Sequence, residues 1–97
     1  MINSFYNRGT EDIFDGADTR AARKACPQIL WLIARRKLDQ INRVRTLREL
    51  LIPPGNKLER LKGNRAGQYS IRINDQYRIC FRWEKNHAED IEITDYH

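Results

Sequence analysis

A chain of 97 residues, of which 40% are hydrophobic and 9% aromatic, can fill one packed core but not two, so we expect a single domain over residues 1–97. Charged residues make up 32% and their signs are mixed along the chain, which argues against disorder. The sequence does not open on a signal peptide, and no stretch approaches the roughly eighteen apolar residues that span a bilayer. We therefore expect a soluble protein of the cytoplasm, with no membrane partner.

The cysteines argue against a metal site. Cys26 and Cys80 lie 54 positions apart, and His87 and His97 are the only histidines. A structural zinc site takes about four such ligands at close spacing. The sequence therefore predicts no metal, and two buried thiols in a reducing compartment.

The short elements at the start are predicted from turn and cap residues. Residues 2–6 alternate loosely and indicate a short opening strand. We expect Thr10 to cap a first short helix, with acidic residues in its first turn, and Asp18 to cap a second that runs through Arg23.

A longer helix is predicted from Gln28 to Val44. Apolar residues recur there at helical spacing and form one stripe: Leu30, Ala34, Leu38 and Ile41. We interpret the stripe as core-facing, with a partner-binding groove as the alternative. One more helical turn follows around Leu50, and Pro53-Pro54-Gly55 ends it.

Two alternating segments predict a β-hairpin, residues 68–74 and 77–83, joined by a turn at 74–76. This register places every apolar residue on one face and sets Arg72 opposite Arg78 on the other, which a slip of one residue would not do. A last strand follows around Ile91 and Ile93. The pattern predicts an α+β fold, in which a short N-terminal strand and the helices pack on one face of a small, mainly antiparallel sheet.

The net charge of +5 comes from one part of the chain. Residues 57–82 hold seven basic side chains against two acidic ones, whereas the other 71 residues hold eleven of each. A concentrated basic segment is typical of polyanion binding. A solvated surface with a chance surplus of basic residues would give the same count, so the charge alone leaves both interpretations open.

The opposed arginines favour a phosphate ligand. Arg72 and Arg78 repel each other across the ladder unless an anion lies between them. A phosphate would turn that repulsion into a bidentate clamp. The alternative is that Glu92, on the neighbouring strand, neutralises one of them. Just before the hairpin, residues 57–67 form a basic segment with two glycines, which we interpret as a loop that approaches a nucleic-acid backbone.

The last three residues, Asp95-Tyr96-His97, could transfer protons. RNA cleavage by internal attack needs a base for the 2′-hydroxyl, cations around the phosphate and an acid for the 5′-oxygen. A polar terminus usually has no function, so the residues alone leave catalysis as a hypothesis. Strict alternation from Ile91 and Ile93 would put Tyr96 on the basic side and Asp95 and His97 on the apolar side. Either the strand ends before Asp95, or Tyr96 participates directly and the other two residues reach around the edge of the sheet.

Residues 61–81, together with Asp95-Tyr96-His97 and the opening Met1-Ile2-Asn3-Ser4-Phe5, closely resemble the HigB toxins of the RelE/ParE superfamily. The resemblance covers nearly the whole chain. It implies a RelE-like fold and an endoribonuclease that cuts mRNA in the ribosomal A site without a metal or organic cofactor. It also implies neutralisation by a helix-turn-helix HigA-type antitoxin. The toxin would then contact DNA only indirectly, as part of the complex with that antitoxin.

The resemblance also implies roles for individual residues. The basic residues around the scissile phosphate would be Lys62, Arg72 and Arg78. The catalytic residues at the end of the sequence would be Asp95, Tyr96 and His97. The basic residues along the approach of the RNA would be Lys57, Arg60 and Arg65. Some HigB toxins carry a catalytic histidine in the loop before the Lys-Gly pair, at the place where this chain has Glu59. Either His97 then works with Tyr96 or Asp95, or Glu59 serves as the base.

Two other functions stay open on the sequence. A ParE-like gyrase poison would share the fold but would not require the acid–base residues or the opposed arginines. A non-catalytic RNA-binding module would bind without cutting, but such modules usually present exposed aromatic rings, and Tyr69 and Tyr77 fall on the apolar face.

Overall fold

The computed structural model describes residues 1–96, and within them three α-helices precede four strands. The helices are Arg8–Asp15 (α1), Arg20–Ala25 (α2) and Trp31–Arg43 (α3). The strands are Glu59–Arg60 (β1), Gln68–Arg72 (β2), Tyr77–Glu84 (β3) and His87–Asp95 (β4). Short 3-10 turns lie at Gln28–Leu30, Leu47–Leu51, Pro54–Asn56 and Gly63–Arg65. The predicted α+β fold is confirmed.

The strands form one antiparallel sheet in the order β1-β2-β3-β4. The predicted hairpin register is confirmed, with Arg72 opposite Arg78. The ladder between β3 and β4 shifts between Cys80 and Arg82, where Asp90 on β4 adopts a positive φ of 51°. This β-bulge turns part of β4 outward.

Two expectations about strands were wrong. The opening segment makes isolated parallel bridges to β4, from Ile2 and Phe5, rather than a strand. The bulge at Asp90 lies between the residues of β4 that form those bridges and interrupts the edge that a strand would follow. The basic segment before the hairpin is not only a loop, because Glu59 and Arg60 pair with β2. Two residues are too few to show an alternating pattern.

The first two helices begin one residue or more away from where the sequence suggested. Asn7, not Thr10, caps α1 and accepts a hydrogen bond from the backbone of Thr10 at 3.0 Å; Thr19, not Asp18, caps α2 in the same way. Thr10 lies inside α1 and is fully buried, and its hydroxyl accepts from the backbone N–H of Ile93 at 3.0 Å. That bond fixes α1 on the sheet.

The core lies between the helices and one face of the sheet. The predicted stripe of α3 points into it, and Ala34, Leu38 and Ile41 have no exposed surface. They pack against apolar side chains of the strands, which include Ile71, Ile79, Phe81, Ile91 and Ile93. Cys26 and Cys80 are free and buried, as expected. No helix within residues 1–96 has the length and apolar character needed to cross a bilayer.

The opposite face of the sheet, called here the polar face, is less open than the alternating pattern suggested. Ser70 and Cys80 have no exposed surface and Arg78 is only 9% exposed. Residues 57–66 bond to this face through the Lys57 carbonyl and the Arg65 side chain. A short segment of chain therefore takes the place that helices occupy on the other side.

Candidate active site

Arg78 is the centre of the polar face and is held at all three nitrogens. Its Nε donates to the Ser70 hydroxyl at 2.8 Å and its Nη2 donates to the Lys57 carbonyl at 2.6 Å. Its Nη1 lies 3.6 Å from a carboxylate oxygen of Glu59. Because β1 pairs with β2, Glu59 stands opposite Ser70, and strand pairing delivers both groups to the same guanidinium. The cation is therefore fixed before any ligand arrives.

Tyr96 lies against this arginine. The guanidinium carbon of Arg78 is 5.9 Å from the centroid of the Tyr96 ring, within the range of a cation–π contact. The backbone N–H of Tyr96 donates to the Gln76 carbonyl at 2.8 Å, which ties the chain after β4 to the hairpin turn. The alternation that places Tyr96 on the side of the arginines is confirmed.

Asp95 lies on the other side of the sheet. β4 continues through Asp95, so the strand does not end before this residue. Asp95 accepts a hydrogen bond from the Gln76 side chain at 2.9 Å and lines a cleft toward α1 and α2 with Tyr77 and Lys24. Of the three predicted catalytic residues at the end of the sequence, the structure brings Tyr96 to Arg78, whereas His97 lies outside the described residues.

Arg72 stands opposite Arg78 but has its own counter-ion. It forms an ion pair with Asp75 in the hairpin turn, and about a third of its side chain is exposed. The alternative that Glu92 neutralises one of the opposed arginines was wrong. Glu92 stands opposite Cys80, one row further along the sheet, and pairs with Arg65 at 3.2 Å.

The buried Asn56 lies next to Lys57, a partner of Arg78, and was not predicted from the sequence. Asn56 has no exposed surface and donates to the Leu50 carbonyl at 3.1 Å and the Gln40 side chain at 3.0 Å. It also accepts from Lys37, whose pKa is lowered by burial and by the charge of Arg72. Asn56 precedes Lys57, whose carbonyl holds Arg78. Nothing in the local pattern of the sequence distinguishes Asn56 from an ordinary turn residue.

The remaining predicted basic residues, called here the basic rim, lie within residues 57–65, ahead of β2. Lys57, Arg60 and Lys62 are exposed on the segment that covers the polar face, and Arg65 is half-buried beside Gln68. Within residues 1–96, no group of three or more His, Cys, Asp or Glu side chains is placed to hold a metal ion. The arrangement offers one fixed cation, Arg78, with a carboxylate, Glu59, that can accept a proton and a phenol, Tyr96, that can donate one.

The fold is that of the RelE/YoeB-type toxins. The chain superposes on the toxin fold in a solved YoeB-YefM complex from Staphylococcus aureus with a TM-score of 0.61 at 23% identity, covering 100% of this chain and 98% of that chain. A family model described as the RelE-like toxin of type II toxin-antitoxin system HigB matches residues 3–97. This chain belongs to the HigB-like toxin family, as the resemblance had implied.

Two curated proteins are similar to this chain, and one of them is named a HigB toxin. Toxin HigB-1 of Vibrio cholerae is 48% identical over 48 residues, which are 50% of this chain and 50% of that protein. An uncharacterized protein of Haemophilus influenzae is 37% identical over 67 residues, or 69% of this chain and 66% of that protein. The chain thus matches about half the length of the first relative and 66% of the second.

Proposed function

We propose that this toxin is a ribosome-dependent endoribonuclease, which cuts mRNA in the ribosomal A site by attack of a ribose 2′-hydroxyl on the adjacent phosphate. The observation that supports it most is the immobilised Arg78, which lies between the carboxylate of Glu59 and the ring of Tyr96. A cation, a proton acceptor and a proton donor meet at one point, which this reaction requires.

In the proposed reaction, Arg72 and Arg78 bind the non-bridging oxygens of the scissile phosphate. The phosphate gains negative charge as it becomes pentacoordinate, and cations that are already in place stabilise that charge without reorganising. Arg78 meets this condition because Ser70 and Lys57 fix it. Arg72 exchanges the exposed carboxylate of Asp75 for the phosphate. These cations supply the charge stabilisation, and the proposal includes no metal ion or cofactor.

We assign the base to Glu59 and the acid to Tyr96. Glu59 takes the proton of the 2′-hydroxyl, the 2′-oxygen bonds to phosphorus, and the bond from phosphorus to the 5′-oxygen breaks as Tyr96 protonates that oxygen. The products are a 2′,3′-cyclic phosphate and a 5′-hydroxyl. Asp95 is a positioning residue, since it holds Gln76, whose carbonyl holds Tyr96. His97 is a second candidate acid.

The basic rim would serve binding rather than chemistry. Lys57, Arg60, Lys62 and Arg65 offer charge to mRNA or ribosomal RNA, a contact that provides affinity without sequence preference. The ribosome would hold the message in line for attack, so naked RNA should be cut poorly. In this proposal the toxin acts in the cytoplasm and is inhibited by a helix-turn-helix HigA-type antitoxin. Any contact with DNA is made by the toxin–antitoxin complex.

The test is primer-extension mapping of cut sites in a translating message. Tyr96→Phe and Glu59→Gln should each lower the cutting rate by about 10²-fold or more, because each removes one proton-transfer group. His97→Ala shows whether that residue shares the acid role. Arg36→Gln removes a basic residue from the exposed surface of α3 and should cut as wild type.

Other results would contradict the proposal. Wild-type rates in both Tyr96→Phe and Glu59→Gln would remove the assigned acid and base, and equal cutting of naked and translating RNA would remove the dependence on the ribosome. Inhibition of DNA supercoiling without any cut message would identify a gyrase poison instead. Binding of message without cuts would identify a non-catalytic RNA-binding module.

A further inference from the structure

A second concave surface lies on the polar face, four residues along β3 from Arg78. This groove has a volume of about 440 Å³, and Tyr6, Arg65, Gln68, Arg82, Asp90 and Glu92 are among the residues that line it. Strands rise about 3.3 Å per residue, so Arg82 lies roughly 13 Å along β3 from Arg78. The ion pair between Arg65 and Glu92 separates the groove from the site around Arg78.

The groove is ordered by contacts from several parts of the chain. The backbone N–H of Tyr6 donates to the Ile91 carbonyl at 2.9 Å, which fixes the start of the chain beside β4. The bulge at Asp90 turns that carboxylate outward to within 3.5 Å of the Arg82 Nε. Arg65 donates to the Gln68 side chain at 3.0 Å. β-bulges often re-aim a side chain next to a binding site.

The charges of the groove define the ligand. Two arginines face two carboxylates, so the lining is nearly neutral, and a phosphate would be repelled by Asp90 and Glu92. A neutral ring with hydrogen-bond donors and acceptors on its edge would meet partners of both kinds. Tyr6 lines the groove beside these groups, and the residue is 66% exposed, so its ring can take a flat ligand on its face.

We propose that this groove binds a nucleobase of the message next to the scissile phosphate. The inference rests on the proposed nuclease function and names a binding subsite for the same substrate. The base stacks on Tyr6, Arg82 and Gln68 donate to its acceptors, and Asp90 accepts from an exocyclic amino group. Adenine, cytosine and guanine carry such a group, whereas uracil offers a carbonyl in its place. The groove therefore disfavours uracil at one position near the cut.

Cutting of translating messages tests the subsite. Tyr6→Ala should lower the cutting rate roughly ten-fold, the usual order for one lost base–aromatic stack, and Tyr6→Phe should keep the rate. Asp90→Asn should raise the share of cut sites with uracil at the contacted position. Tyr6 is mostly exposed, so its variants should fold. Arg36→Gln, a substitution at an exposed position outside the groove, is the control and should cut as wild type. Wild-type rates and cut sites in both Tyr6→Ala and Asp90→Asn would overturn the proposal.

A binding measurement separates failure of the subsite from failure of the nuclease proposal. Tetranucleotides of 2′-deoxyribose cannot be cut by internal attack. Titrating them into the wild-type protein should shift the amide resonances of Tyr6 and Arg82 saturably, whereas the Arg82 resonance should not shift in Tyr6→Ala. If the wild type cuts no message, the nuclease proposal fails and this titration still decides the subsite. Shifts confined to the surroundings of Arg78 would overturn it. So would a Tyr6→Ala variant that loses only antitoxin binding, which would assign the groove to the antitoxin.

Discussion

The two faces of the sheet are closed by different means. On the helix side, α3 and its neighbours cover the sheet with apolar side chains, and Ile79 and Phe81 have no exposed surface. On the polar face, residues 57–66, which hold the two-residue strand β1 and a 3-10 turn, bond to a face on which Ser70, Arg78 and Cys80 are buried. The helix-covered face is stabilised by burial of apolar surface, an effect that does not depend on direction. The second depends on hydrogen bonds and ion pairs that act only between particular atoms.

This difference sets how each face tolerates change. A core of apolar groups accepts another apolar group of similar volume at modest cost. A buried guanidinium with three partners has no such substitute, because a lost partner leaves a donor that neither protein nor water satisfies. Stability should therefore depend on side-chain volume at positions of the helix side. On the polar face it should depend on whether each hydrogen-bonding atom keeps its partner.

The largest effect is expected on the helix side. Phe81→Ala should lower the free energy of unfolding by about 3–5 kcal/mol, since it empties a fully buried aromatic site. Urea denaturation measures it. Glu84→Ala, at the exposed end of the same strand, should change stability by about 0.5 kcal/mol or less. Equal losses in the two variants would mean that this face is not the main core.

The same contrast explains which parts of the structure could be predicted. The stripe of α3 and the register that opposes Arg72 to Arg78 both follow from periodicity, because one slip would expose a whole apolar face. The caps were misplaced since Asn7 and Thr10, like Asp18 and Thr19, are all good cap residues, and tertiary contacts choose between them. Thr10 was drawn into the core by its bond to β4.

The partners of Arg78 could not be predicted in this way. Ser70 and Arg78 follow from the hairpin, but the Lys57 carbonyl that binds Arg78 comes from a turn next to the buried Asn56. The side of the sheet on which Tyr96 lies was predicted by alternation, but its contact with Arg78 was not. Candidate side chains were thus predicted by residue type, while the groups that hold them come from segments that carry no periodic signal.

Alkaline pH should weaken the helix side more than the polar face. Burial raises the pKa of Cys26 from 9.0 to about 11, so above pH 9 the unfolded chain ionises while the folded chain does not. Stability from this thiol is intact below pH 9 and falls by about 2–3 kcal/mol as the pH rises to 11. Burial also raises the pKa of Cys80; the charges of Arg65 and Arg78 oppose that shift, and the charge of Glu92 adds to it.

Urea denaturation from pH 8 to 11 checks this difference in Cys26→Ala and Cys80→Ala. Cys26→Ala should remove the larger share of the alkaline loss and Cys80→Ala the smaller one. The opposite order would mean that the arginines of the polar face do not stabilise a thiolate at Cys80.

A smaller loss is expected from one hydroxyl on the polar face. Ser70→Ala removes the acceptor of the Arg78 Nε, and the unpaired buried donor should cost about 1–3 kcal/mol in urea denaturation. In an Arg78→Met background the same substitution should cost little, since the donor is already gone. If the cost of Ser70→Ala is the same in both backgrounds, the hydroxyl acts through packing and does not hold the arginine.

The smallest effect on stability is expected from loss of the carboxylate of Asp75, which pairs with Arg72. Asp75 is almost fully exposed, and an exposed ion pair adds little to stability, so Asp75→Asn should leave the urea midpoint unchanged. It removes the carboxylate that competes with phosphate for Arg72, and cutting of translating messages at low toxin concentration should rise about two-fold. Glu84→Gln removes the same charge at the far end of β3 and should leave cutting unchanged. If both variants cut faster to the same extent, the gain reflects net charge alone, and Arg72 is not the cation for which Asp75 competes.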